Sequence, residues 1–267
     1  MISARHQPRK RFGQNFLHDP AVIDRIIRSI APQPDDHVVE IGPGLGALTR
    51  PLLSALGRLD VVEIDRDIIP YLQEACAGYG ELHIHNQDAL SFDFTSIAKQ
   101  QAIRLAGNLP YNISTPLIFH ILNQLSVIRD MHFMVQKEVA ERLAAAPATE
   151  HYGRLGIMVQ WRCSVELLFG VGPGAFKPAP KVESALVRLT PHGVPPVKIA
   201  DERRFADLVS RAFSQRRKTL RNALKGLLTA DVIEGLGIDP ARRPETLSLG
   251  DYAALSNATV TNPTAGK

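Results

Sequence analysis

The first clear pattern along the chain is a helical one. Ile23, Ile26, Ile27 and Ile30 recur at intervals of three and four behind Asp19-Pro20, a cap followed by a proline at the first helical position. Pro32 to Pro34 stop that run. The period then changes. His37-Val-Val-Glu-Ile41 is a short apolar run that reads as a buried strand, and it enters Gly42-Pro-Gly-Leu-Gly46. Leu48, Leu52, Leu53 and Leu56 restore the helical period. Leu59–Ile64, Glu81–His85, Ile103–Gly107 and Met131–Val135 read as further strands. Residues 67–77, Thr115–Leu125, Lys137–Ala145 and Gly153–Arg162 read as helices. Val165–Val171 and Ala185–Leu189 are late strands with little helix between them. Strands alternating with helices predict an α/β fold, a mostly parallel sheet covered on both faces.

The pattern changes again near Pro191-His-Gly-Val-Pro-Pro196, a linker. Beyond it the spacing predicts helices at Phe205–Phe213, Leu220–Leu228, Asp231–Leu236 and Leu249–Leu255, with a frayed tail over 257–267. The expected organisation is an α/β domain over 1–193 with a basic N-terminal segment, a linker at 194–200, and a small all-helical domain over 201–267.

Charge sharpens this picture. The net charge is only +4, but it is segregated. Arg5, Arg9, Lys10 and Arg11 stand without an acid in the first eleven residues. Between 203 and 225, eight basic residues, among them Arg216, Arg217, Lys218 and Arg221, face Asp207 alone. Such segregation suggests a polyanion at two places, although most charge runs are only solvated helix faces. No apolar run reaches the roughly 18 residues of a membrane span. The basic N-terminus has no apolar segment behind it, so it is not a secretory signal. Cys76 and Cys163 stand far apart in apolar surroundings, which fits a reducing compartment and gives no metal spacing. The expectation is a cytoplasmic monomer without metal or membrane.

Candidate chemistry gathers at the predicted strand ends, where open α/β sheets bind ligands. The glycine turn lets a ligand approach backbone, and the following helix start favours negative charge. Its spacing is G-x-G-x-G, not the G-x-G-x-x-G of a pyrophosphate site. Glu63 ends the second strand of the sheet, 21 residues after Gly42, where an acid can accept both ribose hydroxyls. Asp88 follows the third, placed to accept from an adenine amine, and Ile64 and Leu90 are candidate walls for the base. Each has a blander reading: strand-end carboxylate, turn aspartate, core residue. Together they indicate a nucleoside ligand without phosphate, which points to S-adenosylmethionine, with NAD as runner-up.

Asn108-Leu-Pro-Tyr-Asn112 follows the fourth strand. The exocyclic amine of adenine is a weak nucleophile because its lone pair is delocalised into the ring. Two acceptors aimed at its hydrogens favour a pyramidal nitrogen. Asn108 offers its amide oxygen and Pro110 a carbonyl in a rigid setting. Tyr111 offers a ring for stacking. With an activated methyl group, positioning and electrostatics suffice, and no strong general base is needed.

Phe12-Gly-Gln-Asn-Phe-Leu17, Glu40-Ile-Gly-Pro-Gly-Leu-Gly46, Val62-Glu-Ile-Asp65, Asn108-Leu-Pro-Tyr111 and Phe176-Lys-Pro-Ala-Pro-Lys-Val182 together resemble the motif set of the rRNA adenine N6-dimethyltransferases, and most closely its bacterial small-subunit branch. The likeness covers nearly the whole chain. It implies a Rossmann-like class I S-adenosylmethionine-dependent methyltransferase sheet. It implies transfer of two methyl groups to each of two adjacent adenosines near the 3′ end of 16S rRNA in an immature small ribosomal subunit. It implies that Asn15 and Leu17 close over the cofactor, and that Gly42, Gly44, Glu63, Ile64, Asp88, Ala89 and Asn108 contact it. Phe176 becomes a second platform for the target base, and Arg9, Lys10, Arg11, Arg216, Arg217, Lys218 and Arg221 become RNA contacts. Three alternatives stand beside this one: a sister enzyme acting on large-subunit rRNA, a non-catalytic RNA-binding assembly factor, and a nicotinamide-dependent oxidoreductase. An intact Asn108, Pro110 and Tyr111 disfavours the second, and the glycine spacing disfavours the third.

Overall fold

The computed structural model describes residues 14–98, 101–215 and 217–261. Nine strands follow one another among the described residues. They are β1 (Phe16–Leu17), β2 (His37–Ile41), β3 (Arg58–Val62), β4 (Glu81–His85), β5 (Ile103–Asn108), β6 (Ile128–Gln136), β7 (Cys163–Val171), β8 (Phe176–Lys177) and β9 (Ser184–Pro191). Seven of them form one sheet in the order β4-β3-β2-β5-β6-β9-β7. From β4 to β6 every pairing is parallel, and β9 runs antiparallel to β6. The order reverses between β2 and β5, so their carboxyl ends flank the crevice where such sheets bind ligands.

Helix α1 (Pro20–Ile30) precedes β2, the crossovers carry α2 (Thr49–Leu56), α3 (Ile69–Cys76), α4 (Thr95–Ala98) and α5 (Ser114–Leu122), and α6 (Lys137–Ala144) follows β6. The start of α1 follows its sequence signal: Asp19 accepts from Ala21 N–H and Val22 N–H at 2.9 and 3.1 Å, with Pro20 at the first position. Ile26 and Ile30 of α1, Leu52 and Leu53 of α2 and Leu72 of α3 bury against Val38, Leu59 and Val61 of the sheet.

The contacts divide the chain differently from the expected linear boundary. One compact unit comprises the chain up to Ala140 with Val165–Pro191. The other comprises Glu141–Ser164 with the chain from His192 onward. The periodicity that marks α7 (Arg154–Arg162) as a helix carries no information about which core it joins. Trp161 of α7 packs on Phe205 of α8 (Glu202–Ser214), ring centroids 5.2 Å apart. Two buried tyrosines stitch this helical unit: Tyr152 donates to Leu247 O and Tyr252 to Pro244 O, both at 2.8 Å.

Other departures have local causes. The predicted helix over Leu220–Leu228 is only four residues long, α9 (Leu220–Ala223), and Gly226 beyond it lies at φ +83°. A short α10 (Ala230–Gly235) precedes α11 (Leu249–Thr261), which continues five residues into the stretch expected to fray. The ribbon of β1 with β8 pairs Phe16 with Lys177 and Leu17 with Phe176; two-residue strands leave no period to read.

Two positions hold the sheet in register at opposite ends of β5. Near its carboxyl end, a Cβ on Gly107 would sit 2.3 Å from the carbonyl oxygen of Ile41. At its amino end, buried Arg104 binds Asp130 through Nε at 3.0 and 3.1 Å, Asp36 at 2.6 Å and the Ile30 carbonyl at the end of α1 at 2.7 Å. Burial alone would raise the pKa of Asp36; the Gln33 N–H and the guanidinium groups of Arg104 and Arg129 hold it below the ordinary carboxylate range. Gly107→Ala is expected to destabilise the protein by about 3 kcal/mol through overpacking, read from urea unfolding. Arg104→Met takes the guanidinium from buried Asp130 and one of two guanidinium partners from Asp36, and is expected to cost about 3 kcal/mol. Its cofactor affinity, measured on the folded fraction by calorimetry, should stay unchanged, because the substitution lies at the far end of the strands.

Candidate functional site

A cavity of about 880 Å³ opens at the carboxyl ends of β2, β3 and β5. Its floor is the turn after β2. Gly42, Gly44 and Gly46 all have positive φ, at +68°, +55° and +84°. At Gly44 a Cβ would also meet the Phe16 ring at 3.0 Å, so a side chain there is strained by conformation and crowded by the ring.

Glu63 and Ile64 form one wall. Glu63 is buried and accepts from the Asp65 N–H at 2.8 Å. Burial raises its pKa, while backbone hydrogen bonds from Asp65, Gly44 and Ile64 oppose the rise. Ile64 is 45% exposed in the cavity wall, an uncommon position for isoleucine beside buried acids. Asp88, Ala89 and Leu90 line the same cavity. Asp88 uses Oδ1 to accept from Leu90 N–H at 2.9 Å, which leaves its other oxygen for a ligand.

The roof is the segment before α1. Gln14, Asn15, Phe16, Leu17 and His18 line the cavity. Gln14 donates to Asp65 at 3.0 Å, and the Asn108 side-chain amide donates to the Asn15 carbonyl at 2.9 Å. That second bond engages one N–H of the amide and leaves Oδ1 available to a donor in the cavity. Tyr111 and Asn112 continue the wall beyond β5, and the Tyr111 hydroxyl lies 2.6 Å from Ser184 Oγ.

Two expectations change here. Pro110 lines the cavity, but its carbonyl already accepts the Ile113 N–H at 3.1 Å in the turn. The neighbouring Leu109 carbonyl carries no such bond among the described residues, and Leu109 also lines the cavity. Phe176 is not in the cavity wall. Its ring is 2% exposed in the core with Leu17, Phe169 and Ala175, because the β1–β8 pairing turns it inward; Lys177, the next residue, lines the cavity instead. Of the expected RNA contacts, Arg217, Lys218 and Arg221 are exposed in the helical unit, while Arg9, Lys10, Arg11 and Arg216 lie outside the described residues. No group of three or more metal-ligating side chains occurs among the described residues.

Glu40 is the site residue that sequence reasoning passed over, although an acid inside an otherwise apolar strand was a readable signal. It is 1% exposed, lines the cavity, and its Oε2 makes no hydrogen bond. Burial, partly offset by nearby Thr49 and reinforced by the charge of Glu63, pushes its pKa up to about 8. A buried carboxyl of this kind calls for a donor or a cation from a ligand. An orphaned acid, a glycine cradle, a buried strand-end acid and an exposed apolar wall fit S-adenosylmethionine, which presents an ammonium group, a ribose and an adenine.

The comparisons agree with this geometry. A family model described as ribosomal RNA adenine dimethylase matches residues 5–260. Ribosomal RNA small subunit methyltransferase A of Marinobacter nauticus is 56% identical over 252 residues, covering 94% of this chain and 91% of that protein. The protein of the same name from Pseudomonas fluorescens is 56% identical over 259 residues, covering 97% and 96%. The crystal structure of a dimethyladenosine transferase from Plasmodium falciparum superposes with a TM-score of 0.79 at 28% identity, over 92% of this chain and 98% of that one. The 23S rRNA methyltransferase ErmE superposes with a TM-score of 0.73 at 24% identity, a likeness of fold alone. With the motifs, the switch-point cavity and a match over nearly its full length, the chain belongs to the ribosomal RNA adenine dimethylase family.

Proposed function

We infer that this protein transfers methyl groups from S-adenosylmethionine to N6 of adenosines in 16S rRNA, producing N6,N6-dimethyladenosine. The observation that carries the reading is the hydrogen bond from Asn108 to the Asn15 carbonyl at the mouth of β5. It orients the one side-chain acceptor that an adenine amine requires.

In this reading Glu40 and the Gly42–Gly44 turn hold the amino-acid end of the cofactor. Glu63 holds the ribose and Asp88 the adenine amine, with Ile64 and Ala89 against the faces of the base. Bound S-adenosylmethionine supplies a methyl group on a sulfonium leaving group. The chain's own residues then have three tasks. Asn108 Oδ1 and the Leu109 carbonyl accept the hydrogens of the target amine and localise its lone pair. Tyr111 presents a ring to the target base. The roof formed by residues 14–18 restricts water, which strengthens these electrostatic contacts. The first transfer leaves a cationic nitrogen and a neutral thioether; once that nitrogen has released a proton to solvent it has one hydrogen left, so a single acceptor contact must orient the second transfer.

The finer reading is that the substrate is an immature small ribosomal subunit, that two adjacent adenosines near the 3′ end are modified, and that the protein acts as a cytoplasmic monomer. The exposed Arg217, Lys218 and Arg221 support a phosphate contact by the helical unit. No helix among the described residues is long and apolar enough to cross a membrane.

Asn108→Ala is expected to lower turnover by about a thousandfold or more, the order seen when a preorganised transition-state contact is removed. Affinity for small subunits should hardly change. The check is a labelled-methyl assay on unmethylated small subunits with mass spectrometry of the digested RNA; full dimethylation by this variant sinks the assignment. Replacing Arg217, Lys218 and Arg221 together by Glu is expected to flatten the salt dependence of subunit binding by about two to three in log–log slope. An unchanged slope returns those residues to a solvated face.

A further inference from the structure

Ser184 is fully buried and stands outside every motif role assigned above. It is the first residue of β9, and its backbone is held on both sides. It pairs with Gln136 at the end of the β6–β9 ladder, while the preceding Glu183 carbonyl accepts the Lys137 N–H at 2.9 Å. Its hydroxyl meets the Tyr111 hydroxyl at 2.6 Å, across 73 positions of sequence. Tyr111, by contrast, sits in a turn beyond β5. Its backbone is held by the bond from Ile113 N–H to Pro110 O and by Ser114 Oγ, which donates to the Tyr111 carbonyl at 3.3 Å. Neither bond constrains the ring's own torsions. The ring is half-buried in the cavity wall, with one face open to the cavity.

We propose that Ser184 is a positioning residue for the methyl transfer: its hydrogen bond to Tyr111 fixes the ring's orientation as a platform for the target adenine. The inference rests on the reading that Tyr111 stacks on that base. Stacking area alone requires only the ring, which phenylalanine also has. The hydroxyl adds a link from ring tip to sheet, and that link fixes where the ring axis points and so where the platform stands. In-line transfer tolerates little angular error. The second transfer tolerates less, because the nitrogen then carries a methyl group and has lost one of the two hydrogens that orient it.

The test compares Tyr111→Phe, Ser184→Ala, their combination, and Tyr111→Ala on unmethylated small subunits, with cofactor affinity, melting temperature and the ratio of monomethyl to dimethyl product measured for each. Tyr111→Phe and Ser184→Ala are each expected to lower kcat about tenfold. Monomethyladenosine should accumulate, cofactor affinity should hold, and the double variant should be no slower than either single one. Wild-type kcat and product ratio in both singles, with Tyr111→Ala inactive, overturns the role of Ser184 and leaves the platform standing. Wild-type turnover by Tyr111→Ala overturns the platform reading itself. A loss confined to Ser184→Ala, with a lowered melting temperature, makes the serine merely structural. If Ser184→Ala does not fold, Tyr111→Phe removes the same bond from the cavity side and decides the question.

Discussion

The site depends on how closely β2 and β5 approach each other. Gly107 faces the Ile41 carbonyl at a distance no Cβ allows. The two strands flank the switch point of the sheet, so their separation sets where the Gly42 turn and the Asn108 side chain stand relative to each other. A wider gap would move the cofactor floor away from the target-base acceptors, and an in-line transfer loses rate steeply with such displacement. The roof adds a second dependence. Phe16 lies over Gly44, and the Asn15 carbonyl holds the Asn108 amide, so the segment before α1 completes the site from the side opposite the sheet.

Electrostatics explains why this arrangement suits a nucleoside with a cationic tail. Burial raises the pKa of both Glu40 and Glu63, and the charge of Glu63 adds to the rise at Glu40 as that of Asp65 adds to the rise at Glu63. Burying both acids costs stability, and a ligand that donates to one and neutralises the other recovers part of it. Asp36 and Asp130, bound to Arg104 at the other end of β5, are shifted down instead. The same strand thus ends in a satisfied charge network on the structural side and in a polar site that awaits a ligand on the functional side.

Much of this was legible in the residues. The switch from helical to strand period located the parallel strands, since burial on both faces leaves continuous apolar runs. Glycines at positive φ marked the turn, because few other residues adopt it. Glu63, Asp88 and Asn108 stood out as polar residues at strand ends. Phe176 was misplaced because an aromatic in a proline-rich loop has the same local signature whether it faces a ligand or a core. The Pro110 carbonyl was named as an acceptor because sequence does not show which carbonyls a turn engages.

What the sequence determined by itself was therefore local: periods, caps, glycine turns, and residue types suited to a nucleoside and an adenine amine. The tertiary structure alone decided the rest. It joined 141–164 to the helices from 192 onward, turned Phe176 into the core through a two-residue strand pairing, left one buried oxygen of Glu40 without a hydrogen bond, and brought Ser184 to Tyr111. The reason is physical. Periodicity records which face of an element is apolar, but the partner of that face, and the fate of each buried donor and acceptor, is settled only when distant segments compete for the same space and the same hydrogen bonds.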